Sequence, residues 1–176
     1  MKPGYRYLAP QAAGGSWYPN SFLAPSQSNE PWLSSGLQAI SDAFAHLEVE
    51  GIPVERTMLL GFSQGACLAL VYAFRHSRRY GGVIALSGAL ITPPEEIFAS
   101  LSSVGTNDAK AFAGTPIFLG CSDVDAHIPL TRLKHSAELL RQLGGVFTLR
   151  IYANMPHTIN HDEIGYVQQM MRTLVL

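Results

Sequence analysis

Three residue types that together can open an acyl bond follow one another along the chain: a serine between glycines, a pair of aspartates, and a histidine after a proline. The serine is Ser63, in Leu59-Leu60-Gly61-Phe62-Ser63-Gln64-Gly65-Ala66. Gly-x-Ser-x-Gly between an apolar run and a helix is the pattern of a nucleophile elbow. The turn holds the serine in a strained backbone conformation with its hydroxyl projecting above the strand ends. Neighbouring chain then comes close, which predicts that both Gly61 and Gly65 are there because only small residues fit. The N–H of Gln64, at the helix start, points to where an oxyanion would sit, and the helix dipole favours negative charge there. A glycine-bracketed serine in an ordinary turn is the bland alternative. The context argues against it: Thr57-Met58-Leu59-Leu60 precedes the turn, and an alanine- and leucine-rich run from Gly65 to Phe74 follows.

An alcohol is a poor nucleophile at neutral pH, so an imidazole must take its proton, and a carboxylate must orient that imidazole. In a parallel α/β sheet such partners gather at the carboxyl ends of the strands. After Leu119 comes Gly120-Cys121-Ser122-Asp123-Val124-Asp125-Ala126-His127-Ile128-Pro129; after Tyr152 comes Ala153-Asn154-Met155-Pro156-His157-Thr158. Ser, Asp and His therefore appear in the chain order of α/β-hydrolases. Each role has a rival. Asp123 competes with Asp125, which is preferred because the Ala-His-Ile-Pro run after it leads straight into a helix. His161 competes with His157, which is preferred because it lies in the loop before a helix starting near Asn160. The two histidines stand four apart, as metal ligands can, but the helix-borne His-Glu-x-x-His is absent, so no metal is expected. His127 is placed to line the site; His46, His76 and His135 read as surface residues.

These residues need a scaffold, and the sequence outlines one. Short apolar runs at Tyr5–Ala9, Met58–Leu60, Gly82–Leu86, Pro116–Gly120 and Phe147–Tyr152 read as strands, with the elbow strand central. Ser35-x-x-Gln38 has the form of a capping box and predicts a helix to about Val49, with Leu37, Ile40, Phe44 and Leu47 inward. Further helices are expected from Gly65 to His76, along Leu130-Leu133-Ala137-Leu140, and from an Asn160-x-x-Glu163 cap with Ile164, Val167, Met171 and Leu174 inward. Pro93 to Gly114 has a weak pattern with one short helix. The long segment Gln11 to Leu33 carries Trp17, Tyr18, Phe22 and Trp32, which need something to cover. Alternating strands and helices imply one α/β domain over residues 1–176, with a mostly parallel sheet and helices on both faces.

Composition narrows the function classes. Of 176 residues, 47% are hydrophobic and 14% charged, which fits a folded domain and not a disordered chain. With 12 basic and 13 acidic residues the net charge is −1, so neither nucleic acid nor an anionic membrane is an expected partner. No run is long enough to span a bilayer, no secretory h-region opens the chain, and the two cysteines form no Cys-x-x-Cys pair; a cytoplasmic protein with free thiols is expected.

Taken together, Gly61-Phe62-Ser63-Gln64-Gly65-Ala66, the Asp123-x-Asp125-x-x-Ile128-Pro129 run and Met155-Pro156-His157-Thr158 resemble the phospholipase/carboxylesterase family of α/β-hydrolases, relatives of acyl-protein thioesterases and dienelactone-hydrolase-like esterases. Ala9-Pro10-Gln11-Ala12 and Trp17-Tyr18-Pro19 match the same pattern. The resemblance implies an α/β-hydrolase-type fold and hydrolysis of small to medium carboxylic esters, or of thioesters. Ser63, Asp125 and His157 would form the triad, Gln64 would serve the oxyanion, and Trp17, Tyr18 and Ile128 would lie near substrate, with no cofactor. Family members usually begin with a strand and a His-Gly-x-Gly-like loop that gives the second oxyanion N–H. This chain starts about where that unit should have ended, so an N-terminally shortened sheet is expected. From the same gap follow unpaired strand edges, a homo-oligomer, and a weakly active or inactive binding protein as the rival to an esterase.

Overall fold

Four of the apolar runs become four parallel strands, in a computed structural model that describes residues 4–91 and 111–174. They are β1 (Met58–Phe62), β2 (Gly82–Leu86), β3 (Pro116–Ser122) and β4 (Val146–Tyr152), side by side in sequence order. The register sets Leu60 against Ile84, Ile84 against Phe118, and Phe118 against Thr148. Every residue of β2 is buried, as a continuous apolar strand covered on both faces requires. β4 is half-buried along most of its length, as an edge strand is.

The pleat sends alternate side chains to two cores. Val83, Ala85, Ile117, Leu119 and Cys121 join the larger one, under α2 (Gln64–Arg75), α3 (Leu130–Gln142) and α1 (Trp32–Val49). Ile84, Leu86 and Phe118 face the other way, where α4 (His161–Arg172) covers them with Val167 and Met170. α2 lies between sheet and α1, so its run from Ala66 to Ala73 is buried throughout. Phe44 of α1 stacks on Tyr72 of α2 with ring centroids 5.6 Å apart. The fold is the parallel, two-faced α/β arrangement expected from the sequence.

Several local expectations are corrected. Tyr5–Ala9 is not a strand: it lies exposed and pairs with no strand among the described residues, and a strand exists only as one side of a ladder. β1 is consequently an edge strand, not a central one. α1 begins three residues before Ser35, so Ser35 and Gln38 sit inside the helix; the side chain serving its first turn is Glu30, which accepts from the Ser34 N–H at 3.1 Å. In α4 Glu163, Val167 and Met170 are buried and Met171 packs half-buried against the same core as expected, while Ile164 is exposed. The helix that the weak pattern after Pro93 calls for falls mainly on residues 92–110, outside the described residues. Among the described residues no helix is long and apolar enough to cross a membrane.

Candidate active site

Ser63 stands between the last residue of β1 and the first of α2, at φ 53° and ψ −120°. A positive φ costs a serine free energy, and two main-chain bonds hold it: its N–H donates to Leu86 O at 2.9 Å, and its carbonyl accepts from Cys67 N at 3.0 Å. The steric demand of the turn falls on one glycine of the motif. A Cβ on Gly61 would lie 2.3 Å from the Gly65 carbonyl carbon and oxygen, whereas a Cβ on Gly65 would meet nothing within 4 Å. Gly61 is required for space; Gly65 is not, which corrects the expectation for the pair.

The turns after β3 and β4 deliver the other two groups. His157 Nε2 is 2.8 Å from Ser63 Oγ, and His157 Nδ1 is 2.7 Å from Asp125 Oδ2. The Asp125 side chain is fully buried and that of His157 is 19% exposed, so the carboxylate is shielded while the imidazole reaches the surface. The other carboxylate oxygen accepts from the N–H groups of His127, at 2.8 Å, and Ile128, at 3.0 Å. Burial alone would raise the Asp125 pKa; the bonds from His157 and from these two N–H groups outweigh it and hold the carboxyl below its ordinary value. Asp123 turns away: it is exposed, and its Oδ1 accepts from Asn154 N at 2.8 Å. His161 is the exposed first residue of α4.

Gln64 contributes twice. Its N–H lies in the first turn of α2, where no intrahelical carbonyl is available to it. Its side chain pins the long N-terminal segment: Oε1 accepts from Trp17 N at 2.8 Å and Nε2 donates to Tyr18 O at 2.9 Å. Trp17 is thereby held half-buried against the core beside the elbow helix. Tyr18 and Ile128, expected near substrate, stand beside the site through their backbone. Both side chains are buried in the larger core, and burial beside Cys67 pushes the Tyr18 pKa up. Their links to the site are backbone atoms, the carbonyl of Tyr18 and the N–H of Ile128.

Two rings frame His157: Phe62 at a centroid distance of 4.9 Å and His127 at 4.7 Å. The Phe62 contact is not a reading made from the sequence, although its place next to Ser63 was a signal. Cys121 went equally unread; it stands four residues before Asp125, and its buried thiol donates to Asp125 Oδ2 at 3.7 Å. A groove lined by Glu48, Val54 and Arg78 lies before β1, at the opposite end of the sheet from Ser63.

The sequence pattern of the phospholipase/carboxylesterase family matches residues 4–175. The chain belongs to the phospholipase/carboxylesterase family. A solved phospholipase/carboxylesterase from Dyadobacter fermentans is 39% identical, with a TM-score of 0.81 over 95% of this chain and 75% of that one. Acyl-protein thioesterase 1 of Gibberella zeae is 33% identical over 122 residues, 69% of this chain and 49% of that protein. The Candida albicans acyl-protein thioesterase 1 is 30% identical over 125 residues, 70% of this chain and 52% of its own length. This phospholipase/carboxylesterase family chain thus spans about half the length of these curated relatives.

Proposed function

We propose that the chain is a serine carboxylesterase acting on small to medium esters. Ser63 Oγ attacks the acyl carbon while His157 Nε2 takes its proton. Collapse of the tetrahedral intermediate returns that proton to the leaving alkoxide and leaves the acyl group on Ser63. Water, deprotonated by the same imidazole, then releases the acid. Asp125 keeps the Nδ1–H tautomer and stabilises the imidazolium. The Gln64 N–H faces the developing oxyanion, and Trp17 borders the acyl or alcohol group. The single observation that carries the reading is the continuous run Ser63 Oγ, His157, Asp125, with both contacts under 3 Å. The chemistry as proposed uses only side chains, one backbone N–H and water.

The test is hydrolysis of p-nitrophenyl butyrate by the chain beside its Ser63→Ala variant. Activity that vanishes in the variant is the expected result. Equal, negligible rates in both would overturn the esterase reading in favour of a hydrolase-like binding protein. A second reading, acyl thioesterase, draws support from the names of the Gibberella zeae and Candida albicans relatives. It shares the mechanism and predicts a higher kcat/KM for thioesters than for matched oxygen esters. For a partner we propose a second copy of the chain, seated on the outer edge of β1, where Leu60 is 54% exposed.

A further inference from the structure

We propose that Cys121 is a positioning residue for the triad: its S–H donates to the same Asp125 oxygen that His157 Nδ1 meets, and so fixes the carboxylate under the imidazole. The inference rests on the triad reading above. Its geometry is specific. Cys121 is the sixth residue of β3, fully buried, with its side chain in the larger core. The turn from Asp123 to Pro129 folds back so that Asp125 Oδ2 lies 3.7 Å from Sγ. Asp125 Oδ1 is already bound by two backbone N–H groups. With the thiol, each carboxylate oxygen has a donor besides the imidazole, and these donors oppose rotation of the carboxyl plane.

A second observation concerns the group behind the thiol. Ser87 follows β2 at φ 48°, a conformation that glycine adopts at little cost and serine does not. Its hydroxyl is buried with no hydrogen-bond partner among the described residues, and it lies near enough to the Cys121 thiol to oppose the rise of that thiol's pKa. A strained serine with a buried, unpartnered hydroxyl thus stands near the thiol, while the thiol itself bonds Asp125. Burial and the Asp125 charge push the thiol up to about 12, so it stays an S–H donor wherever an ester hydrolase works. The titratable groups facing Asp125 are His157 from the β4–α4 loop and Cys121 from β3; His127 meets it through its backbone N–H and sets its ring against that of His157, and Asp123 faces outward to Asn154.

Removing the donor leaves the carboxylate a stronger partner for the imidazolium, and also a less well-aimed one. The test compares Cys121→Val, Cys121→Ala and Cys121→Ser with the native chain, using p-nitrophenyl butyrate across pH, with Ser63→Ala as background. In Val and Ala, kcat should fall about fivefold at unchanged KM, the scale of one modest hydrogen bond. The acid limb of kcat/KM should move up by about half a pH unit. Serine, which keeps a donor of similar size, should restore both. An acid limb unmoved in the donor-free variants, or a serine variant that behaves like alanine, would overturn the proposal. If Val fails to fold, Ala decides. The downfield proton resonance of His157 Nδ1–H gives a readout that needs no turnover. It should move further downfield in Val and Ala and return in Ser; an unmoved resonance also overturns the proposal. Should the native chain match Ser63→Ala in turnover, the esterase reading falls, while the resonance still decides the role of the thiol.

Discussion

At Ser63 the backbone takes a conformation that most residues avoid, and the neighbours that tolerate it are unequal. Gly61→Ala would drive a methyl into the Gly65 carbonyl group, backbone that has nowhere to go. It should lower stability by about 1–3 kcal/mol or more, the cost of overpacking, seen as a large fall in Tm. Gly65→Ala points its methyl into open space at the start of α2, where alanine favours the helix. That variant should keep or raise Tm and alter only substrate KM; a collapse of Tm would count against the geometry. Asp125 supports a sharper prediction. Asp125→Asn keeps the shape but lets the amide stabilise the wrong tautomer of His157. Its kcat should fall by orders of magnitude, about 10⁴ in the equivalent change to a serine protease, with KM little changed. A loss under tenfold would show that the carboxylate does not orient the base.

The elements hold the site through their ends. α4 starts with a reciprocal cap, in which Asn160 Oδ1 accepts from Glu163 N and Glu163 Oε2 accepts from Asn160 N, both at 2.9 Å. This fixes the chain three residues after His157. The cap uses a carboxyl that is fully buried, with Oε1 lacking a hydrogen-bond partner among the described residues and packed where a Cβ on Gly120 would be. Burial raises its pKa, with the Asn160 N–H opposing. The two buried carboxyls therefore act on stability with opposite signs. For Asp125 the folded value is lowered, so its contribution is present above the ordinary 3.8 and is lost as pH falls through the folded value. For Glu163 the folded value is raised, so its contribution is full below the ordinary 4.5 and is lost as pH rises through the folded value. Glu163→Gln keeps an acceptor for Asn160 N and removes the charge. Its Tm relative to native should improve from pH 4 to pH 8, by about 2–4 °C per kcal/mol relieved in a chain this size. A Tm difference independent of pH would contradict this account.

For the whole molecule the open feature is the outer side of β1. Leu60 faces the α4 side of the sheet, in register with Ile84, and remains 54% exposed. Tyr7, 74% exposed, and Leu8 add apolar surface in the N-terminal segment, which reaches α4 through the Tyr5 hydroxyl on the Met171 carbonyl. An apolar strand that pairs on only one side among the described residues invites pairing on the other. Sedimentation velocity should show a dimer or larger species at micromolar concentration, and Leu60→Lys should shift it toward monomer. A native chain that stays monomeric at high concentration would remove this proposal.

Periodicity and turn chemistry act over a few residues, and what depends on them could be read directly. The runs at Gly82–Leu86 and Pro116–Gly120, the Asn160 cap and the Gly61–Gly65 elbow needed no distant partner to declare themselves. The order of Ser63, Asp125 and His157 was legible for the same reason: strand ends collect such residues whatever the remaining packing. The sequence alone therefore determined the α/β class and the three residues to watch. Only the tertiary structure decided what depends on residues far apart. It made β1 an edge, because an extended run such as Tyr5–Ala9 is a strand only if another strand lies beside it. It buried Tyr18 and Ile128 in the core, brought His157 within hydrogen-bond reach of both Ser63 and Asp125, and laid the Cys121 thiol against that carboxylate. Apart from the Cys121 contact, which spans four residues, each of these depends on segments far apart in the chain and is set by how the sheet and its helices pack.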